Sequence, residues 1–173
     1  MKKKLTKKQL LKRAQKIKLL LTDVDGVLTD TGVYYSGKGE ELKRYSIRDG
    51  MGVERLRKLV DVETGIITRE NTEIVRSRAI KLKIDELHLG AQEKEKNLDE
   101  ICKRKNLSKD EIAYIGDDTN DLEIMQSVGL SACPKDATRF AKDAADLILE
   151  SKGGQGAFRD LAELIIEAKS KKK

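Results

Sequence analysis

The run Ile17-Lys18-Leu19-Leu20-Leu21-Thr22-Asp23-Val24, stopped by Asp25-Gly26, constrains the fold more than any other stretch of the chain. Its apolar residues are consecutive rather than alternating, so as a strand it is stable only with both faces covered. The rest of the chain supplies the cover. After Asp49 the pattern predicts a helix over about 50–60, a strand over 62–68 and a helix over 71–82, where Ile74, Val75, Ala79 and Leu82 form an apolar stripe. A strand over 86–90 and a helix over 93–106 come next. Ser108-Lys109-Asp110-Glu111 has the residues of a capping box but room for a single turn before the strand IAYIGD (112–117). A helix over 119–127, the apolar stretch GLSACP, a short helix through Arg139 and Phe140, the strand DLILE and an amphipathic helix from about 157 complete the series. Strands separated by helices of this length require right-handed crossovers. The expected fold class is therefore α/β: a doubly wound, mainly parallel sheet covered on both faces.

Two segments stand outside the alternation. Leu5, Leu10, Leu11, Ala14 and Ile17 mark a short amphipathic helix ahead of the first strand, and residues 30–47 read as a β-hairpin, GVYY and LKRYSI flanking Ser36-Gly37-Lys38-Gly39. The reading is one domain over 1–173, with a basic helix or tail at 1–16, a hairpin insertion at 30–47, a Lys-rich tail at 169–173 and no large cap domain.

The formal charge of +6 invites a nucleic-acid partner, but its distribution argues against one. Residues 1–18 hold nine Lys and Arg with no acid, and the last five hold four Lys. Without those thirteen cations, residues 19–168 carry 23 basic against 30 acidic side chains, a net charge of −7. Four Tyr, two Phe and no Trp make a poor base-stacking platform. Cys102 and Cys133 lack the spacing of a zinc or redox pair, which suits a reducing, cytoplasmic setting. Neither a membrane partner nor a secretory leader is expected, since the longest apolar runs fall far short of the ~20 residues a span needs.

In an open parallel sheet, ligands bind at the carboxyl ends of the strands, and the polar residues of this chain collect there. The first strand ends at Asp23 and Asp25, the second at Thr68, the third leads to Lys94, and the fourth ends at Asp117-Asp118. Each alone also reads as a turn former, a cap or a solvated side chain. Residues two apart in a strand share a face, so Asp23 and Asp25 are expected in one pocket. Clustered carboxylates need a cation to stay ionised, and hard oxygen ligands with open positions suit Mg²⁺; one His and no Cys cluster argue against zinc. A carboxylate nucleophile, a second acid, Mg²⁺, a Lys and a Thr form the parts of phosphoryl transfer through an aspartyl phosphate.

DVDGVLTD (23–30), Thr68, Lys94 and GDDTND (116–121) resemble, in order and spacing, the four signatures of the haloacid dehalogenase superfamily, over nearly the whole chain. IKLLLTDVDGVLTD, GEELKRYSIRDGMG (39–52), GAQEK (90–94) and GGQGAFRD (153–160) are similar to its capless branch, which includes 3-deoxy-manno-octulosonate 8-phosphate (KDO 8-phosphate) phosphatases. The resemblance implies a role for each residue. Asp23 is the nucleophile and a metal ligand. Asp25 protonates the leaving oxygen, activates water and offers its backbone carbonyl to the metal. Thr68 and Lys94 bind the phosphoryl group, Asp117 completes the metal site, and Asp118 and Asp121 orient it. The resemblance further implies substrate contacts from Arg48, Asp49 and Gly50, from Arg78 to a sugar carboxylate, and from the Gly-rich tail with Arg159. The partner it implies besides a sugar phosphate is a second copy: in this branch a homotetramer lays the hairpin of one subunit over a neighbour's site.

One departure keeps the substrate open. Glu70 after Thr68-Arg69, with Lys81 eleven positions on, is similar to relatives acting on nine-carbon (nonulosonate) 9-phosphates, whereas IRDGMG is similar to the eight-carbon group. From another class, a receiver-type phospho-acceptor domain shares the acidic pair, Mg²⁺, Thr and Lys. A receiver, however, keeps its acceptor Asp at the third strand's end and has no use for a second Asp two residues on.

Overall fold

The computed structural model describes residues 5–170; the first four residues and most of the expected Lys-rich tail lie outside them. Six strands form one sheet: β1 (Leu19–Thr22), β4 (Glu63–Ile67), β5 (Glu86–His88), β6 (Ile112–Ile115), β7 (Leu130–Cys133) and β8 (Leu147–Ile148). Their spatial order is β5-β4-β1-β6-β7-β8, with every neighbouring pair parallel. The chain thus winds outward from β1 in both directions, and β1 and β6 lie side by side in the middle. β2 (Tyr34–Ser36) and β3 (Gly39–Leu42) form a separate antiparallel hairpin.

Among the described residues, seven α-helices accompany these strands: α1 (Lys7–Ala14), α2 (Ile47–Val60), α3 (Glu73–Leu82), α4 (Lys94–Lys105), α5 (Leu122–Ser127), α6 (Arg139–Ala144) and α7 (Ala157–Ser170); α1 precedes β1 and α7 follows β8. The consecutive apolar residues of β1 explain the two layers. Leu20 joins a core with Val53, Leu56, Val75, Phe158 and Ile165 under α2, α3 and α7. Leu19 and Leu21 point the other way, to Leu98, Ile101, Ile124 and Met125 under α4 and α5. Each such fully buried Leu or Ile stabilises the fold by roughly 1.5–3 kcal/mol, so both faces hold β1 in place. Tyr114 of β6 takes the second face, and that places its hydroxyl near the starts of α4 and α5.

The expected elements are present with displaced ends. Ladder pairing of β1 stops where Asp23 N donates to Ile115 O at 3.0 Å; the chain then folds back so that the N–H groups of Val27, Leu28 and Thr29 all approach Val24 O. α2 starts at Ile47 because Ser46 caps it, its side chain accepting from Asp49 N. The hairpin is displaced from the expected one: its second arm is Gly39–Leu42 rather than LKRYSI, and Ser36 and Gly39, expected in the turn, pair with each other. Past Leu42 the chain turns inward, and Tyr45 bridges to Thr29.

Candidate active site

Three strand ends, a helix start and a 3₁₀ turn converge. Asp23 follows β1, Thr68 follows β4, Asp117 follows β6, Lys94 opens α4, and Asp121 lies in the 3₁₀ turn before α5. Lys94 Nζ sits 2.8 Å from Asp23 Oδ2 and 2.7 Å from Asp121 Oδ1, and donates to Tyr114 Oη at 3.1 Å. The ammonium's three donors thus meet three acceptors. Asp23 Oδ1 accepts from Val24 N at 2.7 Å, so both of its oxygens are fixed. Thr68 Oγ1 accepts from Glu70 N at 3.1 Å, which leaves its own proton for a further acceptor.

Oxygens of Asp23, Asp117 and Asp121 lie within 4.8 Å of one another. Asp121 is already saturated: Oδ1 takes Lys94 and Tyr114, and Oδ2 takes the N–H groups of Asp117 and Asp118 at 2.9 and 3.2 Å. It anchors the cluster, which leaves Asp23 and Asp117 as the carboxylates best able to hold a cation. Gly26 makes room for this. Its φ of +76° favours glycine, and a Cβ there would stand 2.1 Å from Asp117 Oδ2.

The electrostatics of the cluster call for positive charge. Burial, then the charge of Asp121, raises the pKa of Asp23 against the opposing pull of Lys94. Burial and the charges of Asp23, Asp121 and Asp118 push Asp117 up to about 8. Burial would lower Lys94, but Asp23 and Asp121 outweigh it and hold the ammonium charged. One ammonium does not neutralise three carboxylates, and a hard divalent ion on oxygen donors fits this set.

Other expected residues are placed differently. Asp25 lies past the end of the β1 ladder, at the turn that Gly26 makes with its positive φ. Its carboxylate pairs with Lys43 Nζ at 2.6 Å. Asp49 was expected at the substrate, yet it is buried and its two oxygens accept from Gly156 N at 3.2 Å and Arg159 N at 2.9 Å, capping α7. Arg159 turns its guanidinium to Glu163 at 2.7 Å. The GGQG tail packs by backbone on the DVDG loop: Gly154 N donates to Val27 O, and a Cβ on Gly153 would stand 1.9 Å from Gly26 O. Arg78 is half-buried over the Tyr45 ring, against Gly50, donating to Ser46 O at 2.9 Å. Arg48 and Lys81 are exposed, Glu70 is half-buried, and Glu70 and Lys81 make no ion pair with each other among the described residues. Asp118 caps the 3₁₀ turn, accepting from Thr119 N at 2.6 Å.

Sequence reasoning missed Lys43 and Tyr114. Tyr114 carried a signal, since a tyrosine in a strand buried on both faces needs a partner for its hydroxyl. Lys43 carried none, sitting among the charged residues of a hairpin.

A cleft of about 240 Å³ lies beside Lys94, lined also by Arg69, Gln92, Glu93, Thr119 and Asn120. A larger one of about 380 Å³ sits at the amino ends of β6 and β7, where Arg13 and Lys16 are already paired with Asp146 and Asp110. Of the two, the first includes Lys94, the partner of Asp23 and Asp121.

Residues 53–159 match the family of haloacid dehalogenase-like hydrolases. Over 159 residues, 92% of this chain and 88% of the relative, the sequence is 36% identical to 3-deoxy-D-manno-octulosonate 8-phosphate phosphatase KdsC of Haemophilus influenzae. The chain is a haloacid dehalogenase-like hydrolase. Its fold is shared with the cobalt-bound form of the Haemophilus influenzae phosphatase, at a TM-score of 0.88 and 36% identity, covering 92% of each chain. It is shared equally with the Moraxella catarrhalis 3-deoxy-D-manno-octulosonate 8-phosphate phosphatase, solved with magnesium, phosphate and KDO, at a TM-score of 0.90 and 31% identity over 94% of this chain and 92% of that one. Family membership sets aside the receiver reading. No helix among the described residues is long and apolar enough to cross a membrane.

Proposed function

We propose that this hydrolase is a Mg²⁺-dependent phosphatase that converts KDO 8-phosphate to KDO and phosphate through an aspartyl phosphate on Asp23. The observation that carries the reading is the ion pair between Lys94 and Asp23, with Asp117 beside it, at the carboxyl ends of the central strands. The likeness of the whole chain to phosphatases of this specificity supports the substrate.

Asp23, held by Val24 N and Lys94, attacks phosphorus as the bond to the sugar oxygen breaks. Asp25 gives that oxygen its proton. Asp25 then takes a proton from water, the water oxygen bonds to phosphorus, and the Asp23–phosphorus bond breaks. Thr68 donates to a phosphoryl oxygen, and Lys94 balances charge that grows on the others. Asp23 and Asp117 would hold Mg²⁺, with the Asp25 carbonyl as a further ligand; bound there, the ion neutralises the carboxylates and polarises the phosphoryl group. Arg78, a cation with no carboxylate in hydrogen-bond contact among the described residues, suits the substrate's carboxylate.

A nonulosonate 9-phosphate is the second candidate, favoured by Glu70 and Lys81. Comparing kcat/KM for the two substrates tests the choice: an advantage of about tenfold or more for KDO 8-phosphate is expected, and the reverse preference overturns it.

The proposed assembly is a homotetramer in which each hairpin covers a neighbour's site. Val33, Tyr34, Tyr35 and Leu42 support it, because all four are exposed, Tyr35 at 72%, and such a patch marks an interaction surface.

A further inference from the structure

Lys43 is the side chain that the hairpin sends back into the molecule. It comes directly after β3, between the exposed Leu42 and Arg44, yet only 2% of its side chain is exposed. Nζ lies 2.6 Å from Asp25 Oδ1 and 3.1 Å from Glu40 Oε1. A buried ammonium is costly unless paired. Burial alone would lower its pKa, and the two carboxylates more than reverse that, so Lys43 keeps its charge. Thr29 Oγ1 approaches the same oxygen, Asp25 Oδ1, at 3.4 Å. Both contacts therefore hold one oxygen of Asp25. The other, Oδ2, has no hydrogen bond among the described residues, on a side chain that is 38% exposed. Nearby, Tyr45 Oη and Arg78 Nε are buried polar atoms without a partner among the described residues, and Tyr45 is close enough to feel the charge of Asp25.

We propose that Lys43 is a positioning residue that grips Asp25 by Oδ1 so that Oδ2 faces the departing oxygen, making proton transfer at Asp25 depend on how the hairpin is seated. This rests on the phosphatase reading and on Asp25 as its acid and base. In the first half-reaction the Asp23–phosphorus bond forms, the phosphorus–oxygen bond to the leaving group breaks, and the proton of Asp25 goes to the leaving oxygen. A sugar alkoxide needs that proton to leave; p-nitrophenolate does not. In the second half-reaction a water proton goes to Asp25 whatever ester was used.

The two substrates therefore separate the role from a merely structural one. With KDO 8-phosphate, Lys43→Met is expected to lower kcat about 10- to 100-fold while KM moves less than about threefold, and Lys43→Arg to recover about tenfold of the loss. With p-nitrophenyl phosphate, Lys43→Met should release a rapid burst of about one p-nitrophenolate per active site before slow turnover. If Lys43→Met lowers the thermal midpoint, Lys43→Gln, which keeps a hydrogen-bonding tip, is read in its place. A variant with wild-type kcat, a loss confined to KM, or equal slowing of both substrates without a burst overturns the proposal alone. A wild-type enzyme inert on both phosphates overturns the phosphatase reading and the proposal with it.

Discussion

Asp121 makes more contacts within the cluster than Asp23 or Asp117 does. It pins Lys94, accepts from Tyr114 and fixes the backbone that aims Asp117. Asp23 is held at a cost, since burial and Asp121 both oppose its charge. Asp23→Asn should therefore abolish turnover while leaving the thermal midpoint of the metal-free protein no lower than wild type; a large drop in midpoint would mean that Asp23 is structural. Tyr114→Phe removes one hydroxyl and strips Asp121 and Lys94 of a shared partner. It should lower stability by about 1–2 kcal/mol in urea unfolding, and an unchanged midpoint concentration would contradict the network. Asp23, Lys94 and Asp117 could be picked out in the sequence because all three fall at the carboxyl edge of the expected parallel sheet, where ligands bind. Asp25 could be picked out as a candidate from its place after the first strand, but not as a partner of Lys43, because that contact joins a loop to a hairpin and leaves no periodic trace.

At the level of elements, Asp49 ties α2 to the start of α7, and Arg55 pairs with Glu163 farther along the same two helices. Asp49, in the first turn of α2, accepts two N–H groups at the start of α7. Asp49→Ala leaves those donors buried and should destabilise the fold by about 1–3 kcal/mol, read by urea unfolding. No loss would return Asp49 to the substrate role expected from the sequence. The strand–helix alternation was readable because buried parallel strands and amphipathic helices have distinct periods. The capping box at Ser108–Glu111 was readable too, but the cap of α7 was not, because Asp49 bridges residues over a hundred positions apart. The sheet edge at β5 offers a pH test. Burial would raise the pKa of Glu86, but contacts with His88 and Arg104 outweigh it and hold the carboxyl at about 2, against an ordinary 4.5. Its stabilisation is present above pH 4.5 and is lost as pH falls from there through 2. Wild type should lose more stability over that interval than Glu86→Gln; parallel curves would show that the ion pairs do not stabilise the edge.

For the molecule as a whole, the proposed tetramer would make the hairpin a link between assembly and chemistry. Its Val33, Tyr34, Tyr35 and Leu42 are exposed, while Lys43 reaches inward to Asp25. Tyr35→Lys should shift sedimentation from a tetramer to smaller species, and a tetramer unaffected by that charge would place the interface elsewhere. Activity should vanish in excess chelator and return with Mg²⁺. If Asp23 carries the phosphoryl group, rapid acid quench of the enzyme mixed with substrate radiolabelled in its phosphate traps it. Protein-bound label that hydroxylamine releases, absent from Asp23→Asn, is the expected result. Full turnover with no bound label at any quench time, or equal labelling of the Asn variant, would contradict it.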